Sequence, residues 1–254
     1  DPVRVYERFA TLDALSNGRA EVTLGRGSFT ESFPLFGFDL SQYEVLFEEK
    51  LDLFVRLRSE DAVSWQGTHR PPLPPTHVYP KTASGSLPTW VGVGGSPESV
   101  VRAASHGLPM MMAIIGGDPA RFAPYADLHR QALEQFGHQP QPVGIHSPGF
   151  VASTDGEARD LLAPHFIANR NRIGRERGWG TSTRADFEAE ADHGALFVGS
   201  PQTVADKIVR ALQATGARRF DLKYSNGPMP HEQLMDCIEL YGTEVIPRVR
   251  AQLG

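Results

Sequence analysis

The run Trp90-Val91-Gly92-Val93-Gly94-Gly95-Ser96-Pro97-Glu98-Ser99 decides the fold class. Trp90 to Val93 has the apolar, β-branched character of a short buried strand. Gly94 and Gly95 break it, Ser96 is suited to cap a helix, and Pro97 falls at the first helical position, where its missing N–H costs nothing. The helix continues to His106 and stops at Gly107. A strand passing through a glycine turn into a helix is the unit of parallel sheets with helical crossovers.

The same unit recurs outward in both directions. Upstream, Val3 to Leu15 places Val3, Tyr6, Phe9, Ala10, Leu12 and Asp13 at helical spacing before a stop at Ser16-Asn17-Gly18. Ala20 to Leu24 alternates like a strand and breaks into Gly25-Arg26-Gly27-Ser28, a βα loop where function tends to collect. Ser41 is expected to cap a helix running to about Arg58. Downstream, strands are expected at Met110–Ile115, Val143–Ala152 and Phe220–Lys223. Helices are expected after Asp118-Pro119, over Asp155–Arg177, from Ser200-Pro201 through Leu212, and over His231–Leu253. Residues 61–88 are rich in proline and small polar residues and read as a hairpin-like excursion, with Val63-Ser64-Trp65 its firmest part. Residues 155–198 read as a helical insertion within one domain spanning 1–254. The alternation fits a doubly wound open sheet or a (β/α)₈ barrel; five strands alone favour the open sheet, and pattern does not settle the choice.

Composition narrows the function. The 254 residues carry 25 basic and 30 acidic side chains, a formal net charge of −5, and only Asn169 to Arg177 is densely basic. A nucleic-acid surface is therefore not expected. No apolar run approaches a membrane span and no signal peptide is visible; the single cysteine makes the cytoplasm the default compartment. A single cysteine, Cys237, excludes an internal disulfide framework and a Cys-rich zinc site, and no metal is expected.

The chemistry-bearing candidates are few. Gly94 and Gly95 let backbone approach a ligand, the helix start offers free N–H groups at the positive end of its dipole, and Ser96 and Ser99 add hydroxyls one turn apart. This is a phosphate cradle or an ordinary capped helix. The dinucleotide spacing G-x-G-x-x-G is absent. Gly199-Ser200-Pro201 repeats the start signal, where capping is the better reading. Arg26 could bind an anion or pair with a neighbouring carboxylate. His146, on an apolar strand, is a core histidine or an acid/base group. Arg170, Arg172, Arg175 and Arg177 could grip an anionic substrate or form a solvated face. No Ser-His-Asp order or HExxH motif is present.

Together these pieces resemble the luciferase-like monooxygenases, a family of flavin-dependent (β/α)₈ barrels. The likeness is carried in order by Ala10-Thr11-Leu12-Asp13-Ala14-Leu15-Ser16-Asn17-Gly18-Arg19, Leu24-Gly25-Arg26-Gly27-Ser28-Phe29, Phe36-Gly37, and Gly94-Gly95-Ser96-Pro97-Glu98-Ser99. It continues through His146 to Ala152, Gly194 to Pro201 and Val245 to Arg248, so it covers essentially the whole chain. The resemblance implies a TIM barrel in which three strands and two helices precede the position of Asp1. The residues in hand would then form an open arc that exposes apolar barrel interior and two sheet edges.

The resemblance also implies FMN, used reduced and supplied by an NAD(P)H:flavin reductase, with O₂ and a small organic substrate. Gly94, Gly95, Ser96 and Ser99 would hold the phosphate, with Arg26 reaching it. Gly27, Ser28 and Phe29 would pass near the ribityl chain or ring, and His146 would face the barrel mouth as the catalytic candidate. A homodimer is implied as well. One departure is Glu44, where some family members place a second phosphate-binding arginine; an acid there would repel phosphate. The deazaflavin F420 on the same fold is an alternative, as are a barrel binding phosphorylated sugars without redox chemistry and a non-catalytic flavin-binding protein. Lys223 is the only lysine placed for a Schiff base, which counts against an aldolase.

Overall fold

In the computed structural model every residue except Ser28 and Ser84 is described. The order is α1 (Pro2–Leu15), β1 (Val22–Leu24), α2 (Ser32–Leu35), α3 (Tyr43–Ser59), then a hairpin of β2 (Ala62–Trp65) and β3 (Leu73–His77). β4 (Thr89–Val93), α4 (Pro97–Ser105), β5 (Met110–Ala113), α5 (Ala123–Gln135) and β6 (Val143–Val151) follow. Two helices, α6 (Asp155–Arg177) and α7 (Arg184–His193), lead to β7 (Phe197–Gly199). The chain closes with α8 (Pro201–Thr215), β8 (Arg219–Lys223), α9 (His231–Leu240) and α10 (Ile246–Leu253).

Six strands form one parallel sheet in the order β1-β4-β5-β6, with β7 and β8 both on β6. The nine residues of β6 make this possible: Val143–His146 pair with β5, Gly144–Pro148 with β8, and Gly149–Val151 with β7. A Cβ at Gly149 would overlap the Phe197 carbonyl, so β7 approaches only because that residue has no side chain. The sheet curls. Glu21, just before β1, forms an ion pair with Arg219 at the start of β8, and the Arg219 guanidinium lies 5.2 Å from the centre of the Trp90 ring. The arc is that of a (β/α)₈ barrel.

Alternation assigns the two faces. Val91, Val93, Met110, Met112, Val143 and Ile145 turn to the convex side and form one core with Val100 and Ala103 of α4, Ala126 of α5 and Val204 and Ile208 of α8. Each such large apolar side chain contributes about 1.5–3 kcal/mol by leaving water. The register puts Thr23, Trp90, Met111, His146, Arg219, Asp221 and Lys223 on the concave side. This corrects the expectation of an apolar interior: Trp90 and Met111 are buried, but the remainder is polar or charged. A second core under the hairpin joins Tyr6 and Ala10 of α1, Leu53, Phe54 and Leu57 of α3, and Trp65.

Three local expectations also change. The parallel sheet gains β7, whose three residues merge in sequence with the helix start at Ser200, and β3 was concealed by Pro74 and Pro75, which only an edge strand tolerates. Asp39, not Ser41, precedes α3 as the capping side chain: its carboxylate accepts the Ser41 N–H at 2.8 Å and starts a 3₁₀ turn over Leu40–Gln42. The last helix is broken by a π turn over Tyr241–Val245, next to Pro247, which has no N–H for the regular ladder. Cys237 in α9 is buried; its Sγ accepts the Val151 N–H at 3.3 Å, and burial pushes the thiol pKa up to about 11.

Candidate cofactor site

The strands run parallel, so their C-terminal ends share one rim, and the loops there bring together residues distant in sequence. Gly94 follows β4 directly, with open space where a Cβ would lie. Gly95 adopts φ +104°, a backbone state that favours glycine, and its carbonyl accepts the Tyr125 hydroxyl at 2.8 Å. Ser96 is the N-cap of α4: its Oγ accepts the Ser99 N–H at 3.3 Å and lies 2.8 Å from the Ser99 Oγ. Pro97 and Glu98 complete the first turn, and α4 buries Ser99, Val100, Ala103 and Ala104.

The second copy of this start signal has a different outcome. At the head of α8, the Asp155 carboxylate accepts the Ser200 N–H at 2.7 Å and the Thr203 hydroxyl at 3.0 Å. That helix start is closed by the chain's own anion, as the capping reading expected. Among the described residues no carboxylate accepts from the head of α4. Its open Gly94 and left-handed Gly95, with two hydroxyls at the dipole's positive end, fit a phosphate group.

Arg26 leaves the end of β1, the strand paired with β4. Its guanidinium is ion-paired with Glu44 of α3 and stacks 4.7 Å from the centre of the Tyr43 ring. The Tyr43 hydroxyl donates to the Gly27 carbonyl at 2.6 Å, and Gly27 has φ +78°. Glu44 is shared: Arg102 of α4 donates to it at 2.9 Å and to Glu48 at 2.5 Å. The acid that sequence reasoning set against phosphate is thus neutralised by two arginines. Of the two readings left open for Arg26, pairing with a neighbouring carboxylate is the one the structure shows. Beside it, a cleft of 550 Å³ is lined by Arg26, Phe33, Phe38, Tyr43, Phe47 and Lys50, among others. Phe29 is exposed, with the Arg177 guanidinium 5.9 Å from its ring centre, and Ser28 lies outside the described residues.

His146 is two strands from the glycine turn, at the middle of β6, between Ala113 of β5 and Asp221 of β8. Burial holds its pKa below the ordinary value; Asp221 opposes that shift and Lys223 adds to it. Arg219 fixes Asp221 through a 2.9 Å hydrogen bond. The basic run of α6 is mostly solvated: Arg172 and Arg175 are exposed, while Arg170 donates to Ser182 Oγ at 2.9 Å. Sequence reasoning missed Tyr43, Arg102, Tyr125 and Asp221. Only Arg102 carried a signal, one turn beyond Ser99 on the same face of α4.

A curled parallel α/β sheet with an open glycine turn at its rim and a half-buried histidine on its concave side is a scaffold of the (β/α)₈-barrel class. The chain belongs to the luciferase-like monooxygenase family, whose model matches residues 1–219. It is 24% identical to the alkanal monooxygenase alpha chain of Photorhabdus luminescens over 97% of this chain and 74% of that one. Its fold matches the oxygenating constituent of 3,6-diketocamphane monooxygenase from Pseudomonas putida, solved with FMN, with a TM-score of 0.74 at 18% identity over 98% of this chain and 76% of that one. It also matches the coenzyme F420-dependent tetrahydromethanopterin reductase of Methanopyrus kandleri, with a TM-score of 0.69 at 19% identity over 98% and 79%. The fold neighbours of this family member thus include both a flavin-bound and an F420-dependent enzyme. Among the described residues no helix is long and apolar enough to cross a membrane.

Proposed function

We propose that the chain is an FMN-dependent monooxygenase that takes reduced flavin from an NAD(P)H:flavin reductase and acts with O₂ on a small organic substrate. The observation that carries this reading is the open head of α4, in a family of luciferase-like monooxygenases, beside a like helix start that the chain closes with Asp155. Bound reduced flavin would supply the electrons for activating O₂; the protein supplies position, a proton acceptor and exclusion of water. Gly94 and Gly95 would admit the phosphate to the backbone, and Ser96 and Ser99 would donate hydroxyl hydrogen bonds to it. Gly27 and Phe29, with Ser28, would flank the remainder of the cofactor. His146, largely neutral at pH 7, would contact substrate or accept a proton at its free ring nitrogen.

F420 is the second reading, favoured by the F420-dependent fold neighbour and by the shared need for a phosphate site. The test is a titration with oxidised FMN, photoreduced FMN and F420, run on the wild type and on the double variant Ser96→Ala, Arg26→Ala. Tighter binding of reduced FMN, weakened about tenfold or more by the double change, is expected from the loss of one hydroxyl and one charged donor. Binding of F420 alone, with no oxygen consumption, would move the assignment to hydride transfer. Failure of both cofactors would leave the phosphosugar reading.

A further inference from the structure

Two arginines from different elements, one in the loop after β1 and one in the last turn of α4, converge on one carboxylate. Arg26, from the loop after β1, pairs with one oxygen of Glu44, and Arg102, from α4, donates to the other at 2.9 Å. The three side chains differ in how firmly they are held. Glu44 is 55% exposed, Arg26 26% and Arg102 9%, so the acid is the partner free to move and the two cations are fixed by their surroundings. Arg102 has a second acid, Glu48, at 2.5 Å and would stay paired if Glu44 left. Arg26 has the Tyr43 ring behind it, anchored through the 2.6 Å bond to Gly27, which would keep the guanidinium in place. The Arg102 Nη1 is buried without a hydrogen-bond partner among the described residues, so the pair holds unused donor capacity. Ser99 and Arg102 are three residues apart on one face of α4, Ser99 about one turn from the Ser96 cap and Arg102 in the last turn.

We infer that Glu44 is a displaceable internal anion: it occupies the face of Arg26 that a cofactor phosphate takes, and swings into solvent when the phosphate binds. The inference rests on the phosphate reading of the α4 turn given above. It makes Glu44 a specificity-determining residue. The arginines and acids of the cluster sum to zero charge, so phosphate gains the Arg26 contact only by displacing a competitor. Phosphate-bearing cofactors are then held mainly by the glycine turn and the two serines, with a contribution from Arg26 that is reduced by Glu44 and sensitive to salt. The ordinary structural role for Glu44, an acid in the first turn of α3, predicts no such effect on ligands.

The experiment compares wild type, Glu44→Gln, Arg26→Gln and the double variant. Binding of FMN, riboflavin and inorganic phosphate is measured by flavin fluorescence and calorimetry at low and high salt, and thermal melts verify that each variant is folded. Glu44→Gln is expected to tighten FMN and phosphate about three- to tenfold at low salt, less at high salt, and to leave riboflavin unchanged. In the Arg26→Gln background the Glu44 change is expected to have no effect. Unchanged or weaker FMN and phosphate binding in Glu44→Gln overturns the inference, as does an equal gain for riboflavin. If no flavin binds but phosphate binding tightens, the flavin reading fails and the displaceable acid stands. If flavin binds and Glu44→Gln alters nothing, the reverse holds. If neither flavin nor phosphate binds any variant, both fail.

Discussion

His146 shows how one residue takes its properties from neighbours on other strands. On β6 alone it is a histidine among buried apolar residues, and burial disfavours its charged form. Asp221 across the register favours that form, and Lys223 disfavours it again. The net effect is a pKa below the ordinary 6.5, so the ring is mostly neutral at pH 7 and able to accept a proton. If His146 is the acid/base group, the acid limb of the turnover profile lies below pH 6.5, and Asp221→Asn moves it lower by removing the stabilising charge. His146→Gln is expected to cut turnover about 10²- to 10⁴-fold and to leave cofactor affinity unchanged. Steady-state pH profiles and the flavin titration check both; a profile unmoved by Asp221→Asn would remove Asp221 from the site. His146 itself was legible in the sequence as a polar residue on an apolar strand. Asp221 was not, because the pairing of β8 with β6 is not written in either strand. The glycine turn, by contrast, was readable in full, since Gly94 to Ser99 is a local signal whose caps and φ values depend on adjacent residues.

At the scale of elements, the α6–α7 segment is tied to α8 by Lys207. Its ammonium donates to the Ala191 carbonyl at 2.6 Å and the Leu196 carbonyl at 2.9 Å, across the junction between α7 and β7. Burial lowers its pKa from 10.5 to about 8, with Glu190 opposing the shift. For a base whose folded pKa is depressed, the unfolded chain holds the extra proton between the two values. The penalty of the buried charge is therefore complete below about pH 8 and is relieved as pH rises towards 10.5. Relative to Lys207→Met, the wild type is expected to gain melting temperature over that interval, and parallel pH courses for the two proteins would refute the assignment. Loss of the carbonyl partners costs the variant roughly 1–3 kcal/mol, set against relief from burying the charge, so the slope with pH is the readout rather than its sign at neutrality. Most helices were legible here because caps and stops are local: Thr154 and Gly178 bound α6, and Ser200 and Gly216 bound α8. β7 and β3 were not. A three-residue strand has no period to detect, and two prolines obscure the other.

For the whole molecule, alternation of strands and helices was readable but closure was not. The five strands expected, taken by number alone, favoured an open sheet, and the choice of a barrel came from family likeness rather than from pattern. What curls the arc is non-local: Glu21 and Arg219, 198 positions apart, meet across the concave side with Trp90 between them. The polar concave face was also invisible in the sequence, because short apolar strands do not announce which face their few polar residues share. Cys237, placed against Val151 where β6 meets α9, gives the molecule a single built-in clock. It is the only thiol in 254 residues, and with a pKa of about 11 it is almost wholly protonated at pH 7 as well as shielded from solvent. A thiol reagent therefore can count only those moments when α9 parts from the sheet. Labelling is expected to be far slower than for a free cysteine and to accelerate with mild denaturant; a rate equal to that of the free amino acid would mean the α9 seam is open in solution.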